Sequence, residues 1–266
     1  MTSNGTWTVD SVRSADGTTI AYETAGDGPP IILVGGAFND RSTTRALAAA
    51  LSADFTVYGY DRRGRGDSGD TGPYAVQREI EDVAALIDRA GGAAHLYGLS
   101  SGAILAAYVA AEGVGVAGLA LFEPPFQAGP HGGPKSGLAE RLSELVSAGR
   151  RDDAVALFLT EAVGVPPEAV GGMREAPEWS WMTGLAHTLA YDTTVTGSAG
   201  LPTERLAAIA APTVVVDSTG SPPWLRDAAV ATAEAIPRAS HVSLAGGFHE
   251  VPPEVLAPAL RDALLG

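Results

Sequence analysis

Ala94-His95-Leu96-Tyr97-Gly98-Leu99-Ser100-Ser101-Gly102-Ala103-Ile104-Leu105-Ala106-Ala107 is the stretch on which the fold turns. An apolar run of strand length leads into Gly-x-Ser-x-Gly, and an alanine-rich helical run follows at once. Small residues on both sides of Ser100 let the backbone reverse sharply, leaving the hydroxyl exposed at the carboxyl edge of a sheet. The pattern alone is weak in a chain with 33 glycines, where the bland alternative is a turn with a serine capping a helix. The flanking strand and helix favour Ser100 as a nucleophile.

Outward from this segment, short β-branched runs alternate with alanine-rich helical runs. The strands read at residues 6–12, 18–24, 30–35, 56–60, 94–97, 116–122, 213–217 and 242–245, and helices at 43–52, 75–90, 101–111, 223–235 and 253–265. Such alternation builds an eight-stranded, mostly parallel sheet with helices on both faces. The turn Ser14-Ala15-Asp16-Gly17 joins the first two strands into an edge hairpin. Between the sixth and seventh strands lie about ninety residues, far more than an ordinary connection needs. Helical runs at 136–148, 152–162 and 178–190, bracketed by Gly/Pro clusters at 129–134 and 197–202, form a helical cap there. The expected division is a core of residues 1–126 and 203–266 and a cap of 127–202.

Composition narrows the function. A net charge of −14 opposes binding to phosphate backbones and anionic membrane surfaces, so neither nucleic acid nor membrane is an expected partner. The absence of cysteine excludes thiolate catalysis, disulfides and thiolate metal sites. The amino-terminal MTSNGTWTVD is polar, with no signal-peptide pattern, and a cytoplasmic location is the default. Residues 103–122 are the most membrane-like stretch, but Glu112 and several glycines divide it into a helix and a strand of the core. No cofactor and no metal are expected: there is no Walker loop and no Gly-x-Gly-x-x-Gly after the first strand. The expected partner is a small-molecule substrate, and a homodimer is left open.

Three further segments accompany the 98–102 turn. They are Val34-Gly35-Gly36-Ala37-Phe38 after the third strand, Asp61-Arg62-Arg63-Gly64-Arg65-Gly66-Asp67-Ser68 after the fourth, and Gly247-Phe248-His249 after the eighth. With these, the chain resembles the α/β-hydrolase superfamily over nearly its whole length. The resemblance implies an oxyanion hole made by the backbone N–H groups of Ala37 and Ser101, and a catalytic base at His249. One departure is Gly35-Gly36 where the family often has His-Gly, which backbone donors tolerate. The 61–68 loop, with three arginines and two aspartates, reads as structural, its charges paired locally.

Of five histidines, His95 falls in the fifth strand, His131 and His187 in the cap and His241 at the start of the last strand; only His249 follows the final strand. The acid that orients it is ambiguous. The family's commoner position after strand seven holds Ser221 or a neighbour without a carboxylate, with Asp217 arriving early at the strand end. A second arrangement, as in some haloalkane dehalogenases and in lactonases resembling the zearalenone-opening enzymes, puts the acid after strand six. There Glu123 is followed by Pro124 and Pro125, whose rigidity suits an orienting group. Glu123 is favoured and Asp217 is the alternative.

A serine nucleophile argues for attack on an acyl carbon, because relatives that displace at alkyl carbon use an aspartate. A carboxylic ester or lactone of an apolar small molecule is therefore the expected substrate, with Phe38, Phe126, Trp179, Trp181 and His187 as expected substrate contacts. The alternatives are a biosynthetic lyase, cyclase or acyl-transfer enzyme on this fold, and a ligand-binding protein without catalysis.

Overall fold

The computed structural model describes residues 7–127, 136–197 and 200–266. Strands β1 (Thr8–Arg13) and β2 (Thr19–Ala25) form an antiparallel hairpin, Arg13 opposite Thr19. Its turn is closed by Ser14 N–H donating to Thr18 O at 2.9 Å, with Gly17 at φ +84°. β2 also runs antiparallel to β4 (Thr56–Tyr60). From there β3 (Pro30–Val34), β5 (Ala94–Leu99), β6 (Val116–Phe122), β7 (Thr213–Ser218) and β8 (Ala239–Leu244) pair in parallel, giving the spatial order β1-β2-β4-β3-β5-β6-β7-β8. The expected strands are all present. β8 starts three residues earlier than the sequence suggests, because Ser240, His241 and Ser243 disguise a half-exposed edge strand.

Alternation along the central strands divides the apolar side chains between two layers. Ile32, Val34, Leu96 and Leu121 face α2 (Val76–Arg89), α3 (Ser101–Ala111), α9 (Thr203–Ala207) and α10 (Pro223–Ala235). Ile31, Leu33, Tyr97 and Phe122 face α1 (Arg45–Leu51) and α11 (Pro253–Leu265). Helix α3 is apolar on every side, which fits its burial between the sheet and the outer helices.

Between β6 and β7 the chain forms α4 (Leu138–Ser147), α5 (Arg151–Phe158), α6 (Pro167–Met173), α7 (Glu178–Gly184) and α8 (Leu189–Thr196), which share a third apolar cluster with Ala37 and Phe38 packed on it. Two of the three helical runs expected there have different bounds. The run at 152–162 ends as a helix at Phe158 and widens into a π-helical turn, Leu159–Val163. The run at 178–190 breaks after Gly184 and resumes as α8, which extends to Thr196. Threonines 193 and 194 conceal that extension; their hydroxyls bond back to the carbonyls of Leu189 and Ala190, both at 2.7 Å. The short helices α6 and α9, each opening after a proline, are below the length that periodicity can reveal. His131 and the whole of the 129–134 cluster lie outside the described residues.

The 61–68 loop is structural as expected, but its ion pairs are not local. Arg63 forks onto Asp82 of α2 at 2.7 and 2.8 Å and reaches Asp16 at 3.0 Å. Arg62 forks onto Glu79 of α2 at 2.6 and 2.7 Å. A charge buried without its partner is expensive. Asp82→Ala is therefore expected to cost about 3 kcal/mol of folding stability, read from urea unfolding. A loss below about 1 kcal/mol would show that Asp16 alone satisfies Arg63.

Candidate active site

Ser100 ends β5 and heads α3 at φ +56°, ψ −122°, a conformation side chains rarely adopt. The close packing around it explains the flanking glycines. A Cβ on Gly98 would stand 2.5 Å from Ala103 Cα, and one on Gly102 2.3 Å from the Val34 carbonyl oxygen. The ladder also runs straight into the site. Ser100 N–H donates to Phe122 O on β6, and Glu123 N–H donates to Val216 O on β7, both at 2.9 Å.

Glu123 is fully buried, at φ +49°. One carboxylate oxygen accepts from Ser218 N–H at 2.8 Å; the other accepts from His249 N–H at 3.0 Å and faces His249 Nδ1 at 2.7 Å. Burial alone would push this carboxyl up, but the His249 and Ser218 hydrogen bonds outweigh it and hold it below the usual range. His249, at φ +53°, projects from a turn closed by paired hydrogen bonds between Gly247 and Glu250 at 2.7 and 3.1 Å. Asp217 is engaged elsewhere: it meets His241 Nε2 at 2.6 Å and Arg226 Nε at 3.3 Å. Thus Glu123 is the carboxylate on His249. Among the described residues the non-glycines with positive φ are Phe38, Ser100, Glu123 and His249. Such backbone strain concentrates where a structure over-determines a functional geometry.

Ala37, Ser100, Ser101 and His249 border one cavity of about 50 Å³. Its other walls are the apolar Pro125, Phe158, Ala162, Val163 and Phe248, together with Trp224, Thr196 and Asp192. Ala162 and Val163 come from the π-helical turn, a distortion often found at functional sites.

The expected substrate contacts lie elsewhere. Phe126 belongs to the main core, tilted against Tyr108. Trp179 is buried within the inserted helices, its Nε1 donating to Asp152 at 2.7 Å. Trp181 is 41% exposed and donates to the Phe38 carbonyl at 2.9 Å. His187 Nε2 bonds the Gly64 carbonyl at 2.7 Å, tying the insertion to the 61–68 loop. Phe38 packs edge-on against Phe158 at 5.5 Å, behind the cavity wall. None of the five borders this cavity: Phe126 fills the sheet core, Trp179 and Phe38 pack with the inserted helices, and Trp181 stays exposed. Phe248 was visible as a neighbour of His249; Phe158, Val163 and Trp224 had no local signal. His95 is packed edge-on to Phe55, and burial pushes its pKa down. Among the described residues no group of three or more His, Asp or Glu is arranged to hold a metal ion, and no helix is long and apolar enough to cross a membrane.

Residues 31–259 match the alpha/beta hydrolase family, and the chain belongs to it. The chain is 49% identical to an alpha/beta hydrolase from Sphaerobacter thermophilus, over 97% of this chain and 100% of that one, with a TM-score of 0.91. A hydrolase from Pseudomonas aeruginosa is 26% identical over 97% and 98% of the two chains, with a TM-score of 0.77. A thermophilic esterase from Thermogutta terrifontis shares the fold at 23% identity over 97% and 98%, with a TM-score of 0.76. No curated protein matches the chain. The family and these relatives make the protein a hydrolase.

Because the folded-state pKa of Glu123 is depressed, its ionised form adds stability that is fully present above the unfolded value, about 4.3, and lost as pH falls through the folded value. The stability gap between wild type and Glu123→Gln in urea unfolding is accordingly expected to be wider at pH 7 than at pH 3. An equal gap at both would show that the carboxyl is not held ionised.

Proposed function

We propose that this protein is a serine hydrolase that cleaves a carboxylic ester or lactone of a small apolar molecule through an acyl-enzyme. The observation that carries the reading is the 2.7 Å contact between Glu123 and His249 Nδ1, at the cavity that Ser100 also borders. A carboxylate on Nδ1 keeps the proton on that nitrogen and leaves Nε2 free as base.

In this reading His249 Nε2 takes the Ser100 proton as Oγ adds to the substrate carbonyl carbon. The carbonyl oxygen becomes an anion held by the N–H groups of Ala37 and Ser101, the latter at the N-terminus of α3 where the helix dipole favours negative charge. The protonated His249 then gives its proton to the departing alkoxide. Water, activated by the same nitrogen, opens the acyl ester and releases the acid and free Ser100. Glu123 stays ionised and stabilises the imidazolium in both halves. The same nucleophile attacking an alkyl halide would be left as an ether, which water does not cleave, so the acyl carbon is the reacting centre. The esterase relative is compatible with this choice, although a shared fold does not carry a substrate.

A fluorophosphonate is expected to phosphonylate Ser100 Oγ with loss of fluoride, adding the mass of the phosphonyl group there and to no residue of Ser100→Ala. Ser100→Ala and His249→Ala should each lower kcat by about 10⁴-fold or more, the double variant being little worse, and Glu123→Gln should be severely impaired. If Asp217→Asn cripples turnover while Glu123→Gln remains near wild type, the acid is wrongly assigned. The cavity also makes a size prediction. Acetyl and propionyl nitrophenyl esters should outpace octanoyl esters in kcat/KM, and Phe158→Ala should shift that preference toward longer chains. A flat chain-length profile would show that this cavity does not receive the acyl group.

A further inference from the structure

Asp192 borders the reaction cavity, yet the chemistry above does not use it. It is carried by α8, the helix of the insertion that joins two apolar cores: Val195 packs with the sheet and Leu189 and Ala190 with the inserted helices. Its carboxylate is 1% exposed, and both of its oxygens accept hydrogen bonds. One oxygen accepts from the Ser101 hydroxyl at 2.7 Å and from Arg62 Nη1 at 2.8 Å; the other accepts from Arg65 Nη2 at 2.7 Å.

The far ends of these contacts converge on the backbone before Ala37. Arg62 Nη1 also donates to the Gly35 carbonyl at 3.1 Å, while the rest of its guanidinium grips Glu79. Arg65 Nη1 donates to the Gly36 carbonyl, and to that of Asn39 at 3.0 Å. Asn39 closes the loop by accepting Gly36 N–H at 2.9 Å. The Gly36 carbonyl and the Ala37 N–H belong to one peptide plane and point in opposite directions. A guanidinium that holds the carbonyl therefore aims the N–H, and drawing electron density toward the carbonyl makes that N–H a stronger donor.

We propose that Asp192 is a positioning residue for the oxyanion hole: it holds Arg65 and Arg62 against the carbonyls of Gly36 and Gly35 and anchors the Ser101 side chain. The insertion thus supplies the counter-charge that sets the two N–H donors. The inference rests on the serine-hydrolase reading. Burial alone would raise the Asp192 carboxyl, but Arg65 and Arg62 outweigh it and keep it ionised. Two arginines against Asp192 and Glu79 leave the buried cluster neutral, so geometry and field make opposite claims. Removing the negative charge would favour an oxyanion electrostatically, whereas losing the scaffold would misaim its donors.

The test is kcat per active site, counted by fluorophosphonate labelling, for Asp192→Asn and Ser101→Ala, with KM and melting temperature measured alongside. Asp192→Asn is expected to lose about ten- to a hundred-fold in kcat per labelled site with KM within about two-fold, on the scale of a weakened oxyanion donor. Ser101→Ala should lose several-fold, and the double variant should be little worse than Asp192→Asn alone, because the Ser101 hydroxyl acts through its contact with Asp192. Wild-type kcat per labelled site in Asp192→Asn, even with a lower melting temperature, overturns the proposal, since the bridge then serves stability alone. So does a rise in kcat, or a rise in KM with kcat unchanged, which would make Asp192 a substrate contact. If Asp192→Asn does not fold, Ser101→Ala decides by itself, and unchanged turnover overturns the proposal. A wild type that is neither labelled nor active on any ester removes the hydrolase reading and this inference with it, an outcome separate from all the others.

Discussion

Close approach of backbone to backbone at Gly98 and Gly102 is the constraint from which the rest of the site follows. With no Cβ at Gly102, α3 begins directly against the end of β3, and with none at Gly98 the turn from β5 into α3 closes tightly with Ser100 at positive φ. The same contact brings the loop of Gly35, Gly36 and Ala37 beside the first N–H groups of α3. Ser100 and the backbones of Ala37 and Ser101, carried by different strands, thereby border one small cavity. The stiffness of this arrangement comes from a sheet whose central strands are covered on both faces, so the edge of β3, β5, β6 and β7 cannot readjust locally.

A second layer of constraint is ionic. Arg62, Arg63 and Arg65 are all buried, and each is paired with carboxylates of α2, α8 or the first hairpin turn. Buried pairs of this kind contribute little net stability, because desolvation offsets most of the attraction. What they supply is direction: forked guanidinium groups fix carbonyls and carboxylates in particular orientations. Stacking of Tyr74 on Tyr191, with centroids 3.9 Å apart, and the hydrogen bond from Tyr191 to Asp70 add further ties between α8 and the core. The insertion is therefore a structural part of the site and not merely a cover over it.

How far the sequence could be read depended on the range of the interaction. Strands with apolar alternation, helices of eleven or more residues and the Asp16-Gly17 turn are set by neighbours in the chain, and they were legible. β8 hid behind serines because an edge strand has one wet face, and α8 hid behind threonines whose hydroxyls satisfy themselves on the helix backbone. The aromatic residues of the insertion misled for a related reason: a tryptophan looks the same in sequence whether it fills a core or lines a cavity.

The sequence by itself determined the class of fold, the position of Ser100 on its turn and His249 as the histidine after the last strand, because each rests on a short motif in a recognisable local context. Only the tertiary structure decided between Glu123 and Asp217. Both end adjacent parallel strands, but Asp217 meets His241 on the neighbouring β8, while the turn after β8 delivers His249 to the end of β6, a contact spanning 126 residues. The partners of Asp192, from 91 to 130 residues away, were equally out of reach. Which carboxylate meets which cation is fixed by strand order and helix docking, and no local pattern encodes that.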